Sequence, residues 1–257
     1  MILNDLLHVL DSIAPLRFAE PWDNVGLLTG DPDASVTRVL LTIDLTHAVA
    51  DEALSAGCEL CVAYHPVLFE PVKRVRSDSV LHRAIRAGLA VYSPHTALDV
   101  APGGTNDMLA DALGMGERAP LHLTFPAEGR GVGRVGTLPA KVARAELIER
   151  VKRELGLGAV LVAGPRGGEV TRAAVCAGAG RGLLDDVIRQ KVELYLTGEL
   201  PHHDALRAAA AGVTVVCALH SNSERAALGR LKGRIEAGAP GIEVRISEAD
   251  RDPFTIG

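Results

Sequence analysis

One pattern in this 257-residue chain recurs, and it limits the fold more than any other feature. A β-branched run at Val39–Ile43 is followed, 20 residues after its first residue, by a second run, Glu59–Ala63, that opens Glu-Leu. Ala173–Ala177 is followed, again after 20 residues, by Glu193–Thr197, which also opens Glu-Leu. That spacing leaves room for one helix and two turns, the layout of a strand–helix–strand unit with parallel strands. Each second run ends in polar residues, Tyr64-His65 in one case and Gly198-Glu199 in the other. A helical segment, a further run and a histidine with an acid four residues on then complete both copies: His95 with Asp99, and His220 with Glu224. The chain therefore reads as an α/β protein of two similar domains related by a pseudo-twofold axis.

The remaining elements fit this frame. Thr46 is a good N-cap for a helix to Ser55. A helix over Val80–Ala87 leads to a strand at Leu89–Tyr92, and Pro102-Gly103-Gly104-Thr105 breaks the chain before a helix ending near Leu113. Arg134–Leu138 and Ala159–Val162 read as strands around an amphipathic helix at Val142–Leu155. Helices follow at Leu183–Gln190 and His203–Ala210, with a strand at Thr214–Ala218, a helix from Ser223 and a final strand at Ile242–Ile246. The sheet is expected to be largely parallel. The domain boundary is placed in a short loop near Glu128–Gly131, giving halves 1–128 and 129–257.

Composition narrows the function classes. Apolar residues at 47% and charged residues at 23% allow a large core. A net charge of −5 argues against a dedicated nucleic-acid binder. No apolar run reaches membrane-span length, and Met1-Ile2-Leu3-Asn4-Asp5 reads as the start of an amphipathic helix rather than a signal peptide. Cys58 and Cys61 form a single C-x-x-C with no second pair to complete a zinc site. With Cys176 and Cys217 they are expected to be thiols in a reducing cytosol, so the chain is expected to be cytoplasmic.

In open α/β sheets, ligands bind beyond the carboxyl ends of the strands. His65, His95, Glu199 and His220 all fall at such ends, and Asp99 and Glu224 follow one turn later. A lone histidine there is ordinarily a cap or a solvated residue; the matched recurrence is what gives these weight. An imidazole and a carboxylate four residues apart can converge on one ion. The mixed N/O set suits zinc, iron or manganese, singly or as a bridged pair, and is poor for calcium. Asp99 or Glu224 is the natural bridge. His202 and His203 read either as donors or substrate contacts near the metals, or as a solvated helix start. His8, His47, His82 and His122 fall on helix surfaces or loops and receive no role. Gly131-Val132-Gly133-Arg134-Val135-Gly136 matches G-x-G-x-x-G but runs into a strand, so it fails as a dinucleotide site. Gly178-Ala179-Gly180-Arg181-Gly182 leaves a strand and enters a helix; a tight turn near the metal cavity is preferred over a phosphate cradle.

Five blocks bear a resemblance to one known family: Pro21-Trp22-Asp23-Asn24-Val25-Gly26-Leu27, Tyr64-His65-Pro66, Ser93-Pro94-His95-Thr96-Ala97-Leu98-Asp99, Thr197-Gly198-Glu199 and His220-Ser221-Asn222-Ser223-Glu224. In combination and order they resemble the NIF-three-like dinuclear-metal family, whose members are often called GTP cyclohydrolase I type 2 homologues. The resemblance implies a metal site between two α/β domains, two divalent metal ions, and a toroidal homohexamer with the sites facing an inner cavity. Its ligands carry over to His65, Asp99, His220 and Glu224. Many bacterial members have a histidine where this chain has Tyr64, so the second ion is expected to be completed by Tyr64 or water. The implied function is a metal-dependent hydrolase acting on a nucleotide or related small molecule. In that reading Glu199 is a general base or orients water, and His95 or His203 shuttles protons. The alternative is a non-enzymatic metal-binding regulatory or interaction protein.

Overall fold

Leu3, Leu6, Leu10 and Ile13 recur at three- and four-residue steps, the spacing that puts side chains on one face of a helix. They form the buried face of α1 (Leu3–Ile13), the first element of the computed structural model, which describes residues 1–255. After β1 (Gly26–Thr29), the first copy of the repeat runs β2 (Arg38–Thr42), α2 (His47–Ser55), β3 (Leu60–Ala63), α3 (Val80–Ala87), β4 (Ala90–Ser93) and α4 (His95–Val100). A second unit begins at Pro102. It contains α5 (Thr105–Leu113), β5 (Gly116–Phe125), β6 (Arg130–Ala143), α6 (Arg144–Glu154) and β7 (Leu161–Ala163). The second copy of the repeat follows as β8 (Glu169–Ala179), α7 (Leu184–Arg189), β9 (Leu194–Glu199), α8 (His202–Ala210), β10 (Thr214–Cys217) and α9 (His220–Arg225). The chain then rejoins the first unit through α10 (Ala227–Gly238) and β11 (Glu243–Ile246).

Among the described residues the first unit's sheet has the order β1-β4-β3-β2-β11, with β1 antiparallel and the rest parallel. The second unit's sheet has the order β5-β6-β8-β9-β10-β7, in which β8, β9 and β10 are parallel. The repeat survives in the pairing register: Val39 faces Leu60 in one unit, and Ala173 faces Leu194 in the other. Alternation along the strands sends Val39, Leu41, Val62 and Tyr92 against α1 and α10. Leu40, Cys61 and Val91 face α2 and α3 on the opposite side. In the second unit Ala174, Cys176, Tyr195 and Val215 pack beneath α7 and α8. The four cysteines are buried, reduced thiols. No helix among the described residues is long and apolar enough to cross a membrane.

The repeated Glu-Leu pair has a structural job. Glu59 accepts hydrogen bonds from the backbone amides of Thr37 (3.1 Å) and Arg38 (2.8 Å) at the foot of β2. Glu193 does the same for Thr171 (2.6 Å) and Arg172 (2.9 Å) in β8. Each carboxylate thus closes the lower end of a parallel pair, where amides lack a ladder partner.

Three expectations change. The boundary does not fall at Glu128–Gly131, because β5 and β6 pair across that stretch; the units part at Ala101/Pro102, Ala226/Ala227 and Arg251/Asp252. The halves 1–128 and 129–257 are therefore replaced by a first unit that includes α10 and β11. The sheets are mixed rather than largely parallel, since β1, β5, β6 and β7 run antiparallel to their neighbours. His122 lies on β5 beside Asp186 (2.9 Å), not on a helix or loop. The failed glycine motif also acquires a reason. A Cβ on Gly131 would sit 1.9 Å from the His122 carbonyl oxygen, so glycine is needed for β6 to cross β5 closely.

The Glu59 clamp predicts acid sensitivity. Burial alone would raise its carboxyl, but the amides of Arg38 and Thr37 outweigh this and hold it below the ordinary carboxylate value. Its contribution is therefore present at neutral pH and lost as pH falls through the depressed folded-state value. Glu59→Gln should lower the melting midpoint by a few degrees at pH 7, for about 1 kcal/mol lost. The difference from the parent should shrink in melts recorded toward pH 3.

Candidate metal centre

In the first unit, β2, β3 and β4 end side by side and deliver Asp44, His65 and His95 from the loops beyond them. His65 Nδ1 lies 2.9 Å from Asp44 Oδ1. A carboxylate only accepts, so the proton sits on Nδ1 and the lone pair on Nε2. His95 repeats this arrangement: its Nδ1 is 2.7 Å from Asp23 Oδ1. The two imidazoles lie with ring centroids 5.4 Å apart.

His95 sits at φ +26, a backbone region a side chain rarely adopts. Asp23 holds it there. Besides the imidazole, its carboxylate takes the Thr96 amide (3.1 Å) and the Thr96 hydroxyl (2.5 Å), and the Glu20 amide donates to that hydroxyl (2.9 Å). Burial raises the Asp23 carboxyl, but the hydrogen bonds from His95 and Thr96 overcome it and leave its pKa lowered. Tyr64 is buried, and its hydroxyl donates to Asp99 Oδ1 at 2.5 Å. The phenol therefore fixes the orientation of the α4 carboxylate.

In the second unit, Gly178 stands one residue before the end of β8, Glu199 ends β9, and His220 opens α9 just beyond β10. His220 follows Leu219, which is held at φ +72, and opens α9. Its Nδ1 is 3.1 Å from Glu199 Oε1, and its Nε2 is 3.4 Å from Glu224 Oε1 one helical turn later. Glu224 is buried. Its donor spacing from His220 equals the distance between two ligands on one tetrahedral ion, about 3.4 Å for bonds of about 2.1 Å. Gly178 makes room for the pair: a Cβ there, at φ +62, would lie 2.8 Å from Glu224 Oε1 and 3.2 Å from His220 Nε2. Its amide donates to Ser223 Oγ (2.8 Å), which in turn donates to the His220 carbonyl (2.7 Å).

The donor set fits a borderline divalent cation: imidazoles whose rings are held by carboxylates at Nδ1, and further carboxylates within one turn of them. Burial pushes the Cys217 thiol at the end of β10 up to about 11, so it is un-ionised at neutral pH. His65, Asp99, Tyr64 and His95 thus gather in the first unit, and His220, Glu224 and Glu199 in the second. His202 and His203 lie exposed on the first turn of α8. Two functional carboxylates escaped the sequence reading, Asp23 and Asp44. Asp44 carried a usable signal, because it stands at a strand end just as the histidines do. Asp23 carried only its place in a family block.

Fold and donor chemistry together define a two-unit α/β protein with the equipment of a divalent-metal binder. The chain belongs to the Duf34/NIF3 (NGG1p interacting factor 3) family, whose model matches residues 1–253. It is 36% identical to the protein NIF3 homolog of Schizosaccharomyces pombe, over 99% of this chain and 98% of that one. It is 30% identical to a Clostridium perfringens protein named GTP cyclohydrolase 1 type 2 homolog, over 99% of each chain. The fold matches the crystal structure of a Bacillus cereus protein related to NIF3, with a TM-score of 0.93, 21% identity, and coverage of 100% of this chain and 99% of that one.

Gly178 offers a direct test of the crowding around Glu224. Gly178→Ala should destabilise the protein by about 1–3 kcal/mol. Gly156→Ala, at φ +67 with open space around it, should cost only the backbone strain, and chemical denaturation of both variants measures the difference.

Proposed function

We propose that this chain binds a pair of divalent cations through His65 and Asp99 of its first unit and His220 and Glu224 of its second, and hydrolyses a nucleotide or related small molecule there. His65, His220 and Glu224 are the donors proposed to share one ion. The observation that carries this reading is the carboxylate behind each histidine: Asp44 behind His65, Asp23 behind His95 and Glu199 behind His220. That pairing leaves Nε2 of His65 and His95 basic and aimed by a fixed ring, the usual state of a metal-ligating or proton-accepting histidine, and turns Nε2 of His220 toward Glu224. Tyr64 acts through Asp99, whose carboxylate it orients, rather than as a ligand of its own.

Bound cations would supply Lewis acidity to a water molecule and to the substrate oxygen it attacks. The protein's residues supply the proton handling. With Asp23 hydrogen-bonded to its Nδ1–H, His95 Nε2 takes the proton released by the attacking water and returns it to the leaving group. Glu199, 55% exposed, fixes the His220 ring and faces the water that enters. The name of the C. perfringens relative points to a nucleotide, and hydrolysis of a ring or phosphate ester falls within this chemistry. Assembly into a ring of six copies is part of the proposal, and light scattering tests it separately.

The test is metal content and turnover measured on the same samples. Wild-type protein loaded with manganese or zinc should retain the metal through gel filtration and hydrolyse at least one member of a nucleotide panel. Glu224→Ala should lose both. Asp44→Asn should weaken metal binding by about 10- to 100-fold, the usual penalty for removing the partner behind a ligating imidazole. Tight retention with silence across the panel would remove the hydrolase and leave a metal-binding regulator.

A further inference from the structure

We infer that Trp22 and Phe69 form a stacking platform beside His95 for a planar heterocyclic ring of nucleobase size. The inference deepens the hydrolase reading by naming the part of the substrate that is recognised.

The platform stands on an insertion that comparison of the two repeats isolates. From β3 to β4 the paired positions are Leu60 and Ala90, 30 residues apart (90 − 60). From β9 to β10 they are Leu194 and Thr214, 20 apart (214 − 194). The extra ten residues lie in the stretch 66–79, which has neither helix nor strand, and long irregular connections in compact domains are commonly functional. Phe69 projects from this stretch and is 47% exposed; Trp22 projects from the turn after Pro21 and is 60% exposed. Their ring centroids are 5.8 Å apart at 62°, and they lie 6.4 Å and 6.1 Å from the His95 ring.

Successive residues of one turn serve this arrangement. Trp22 offers a face, Asp23 fixes His95, and the Asn24 side-chain amide donates to the Leu68 carbonyl at 2.5 Å, tying the inserted stretch to the turn. The ring that reads the substrate and the imidazole that handles its proton are therefore set by adjacent residues. The size of the exposed surface selects the occupant. Two aromatic side chains at these exposures present on the order of 200 Å2. A second copy of the chain would need about 800 Å2 per partner, whereas one heterocycle stacked on one ring and meeting the other edge-on, as their 62° inclination requires, matches the smaller area.

Trp22 is the sole tryptophan, so its fluorescence reports on the platform directly. The full-length, metal-loaded protein should show saturable quenching with guanosine, adenosine, cytidine or uridine, and with GTP. Tripolyphosphate and ribose 5-phosphate, which lack the base, should not quench. Phe69→Ala should weaken the tightest of the quenching nucleosides about tenfold, as expected for loss of one stacking face. By equilibrium dialysis, Trp22→Ala should lose a similar factor and Trp22→Phe should recover most of it, with melting midpoints unchanged. Failure of all four nucleosides to quench would overturn the platform. So would equal quenching by the base-free probes, or a blue shift that appears on concentrating the protein alone. Quenching reads binding without turnover. Its loss in protein that keeps metal and activity sinks the platform alone; its persistence in protein that holds no metal sinks the metal reading alone.

Discussion

An imidazole has two nitrogens, and it becomes a directed ligand only when one of them is already committed. In this protein the commitment is a hydrogen bond from Nδ1 to a carboxylate, made at His65, His95 and His220. The geometry of the site follows from it. At His65 and His95 the tautomer is fixed because a carboxylate cannot donate, and Nε2 is left as the reactive nitrogen; His220 is held from both sides, by Glu199 at Nδ1 and Glu224 at Nε2, and all three ring planes are set by bonds of 2.7–3.1 Å at Nδ1. The backbone accommodates the demand: His95 is held in a sparsely populated conformation by the same Asp23 that holds its ring.

The carboxyl ends of parallel strands are where such side chains can be collected, and the fold builds this edge twice. The two copies have diverged in an informative way. By strand register, Asp44 corresponds to Gly178, and His65 corresponds to Glu199. In the first unit the carboxylate comes from β2 and the imidazole from β3. In the second, β9 supplies the carboxylate, the imidazole comes from the start of α9, and the β8 position is stripped to glycine so that Glu224 and His220 can approach. Ligand chemistry is thus kept while the residues that provide it are exchanged. The glutamates at the opposite ends, Glu59 and Glu193, have not diverged, because the unpaired amides they satisfy belong to the backbone rather than to any substrate.

Much of this was legible in the chain. The 20-residue spacing reported the parallel strand pairs, and the helix from Thr46 and that over Val80–Ala87 ended where their caps and glycine demanded. The histidines and acids were visible because they interrupt apolar runs at strand ends. The hairpin of β5 and β6 was not visible as such: β5 is largely exposed, carries Pro120, and lacks clean alternation, so its identity comes from pairing with β6 alone. The return of α10 and β11 to the first unit was equally hidden, since a strand's own residues do not say which sheet it joins. Asp23 was out of reach for a different reason. It acts on His95 across 72 residues of chain, and only folding makes them neighbours.

The central claim is that Nε2, across the ring from a carboxylate held at Nδ1, is the nitrogen that meets the metal. Anomalous diffraction at the manganese or zinc edge, from crystals grown with that ion, measures this directly. The account predicts peaks about 2.0–2.2 Å from Nε2 of His65 and His220 and from a Glu224 oxygen, with Asp44 and Glu199 still bonded to Nδ1. Peaks bound through Nδ1, or ions that avoid these histidines at saturating metal, would contradict it.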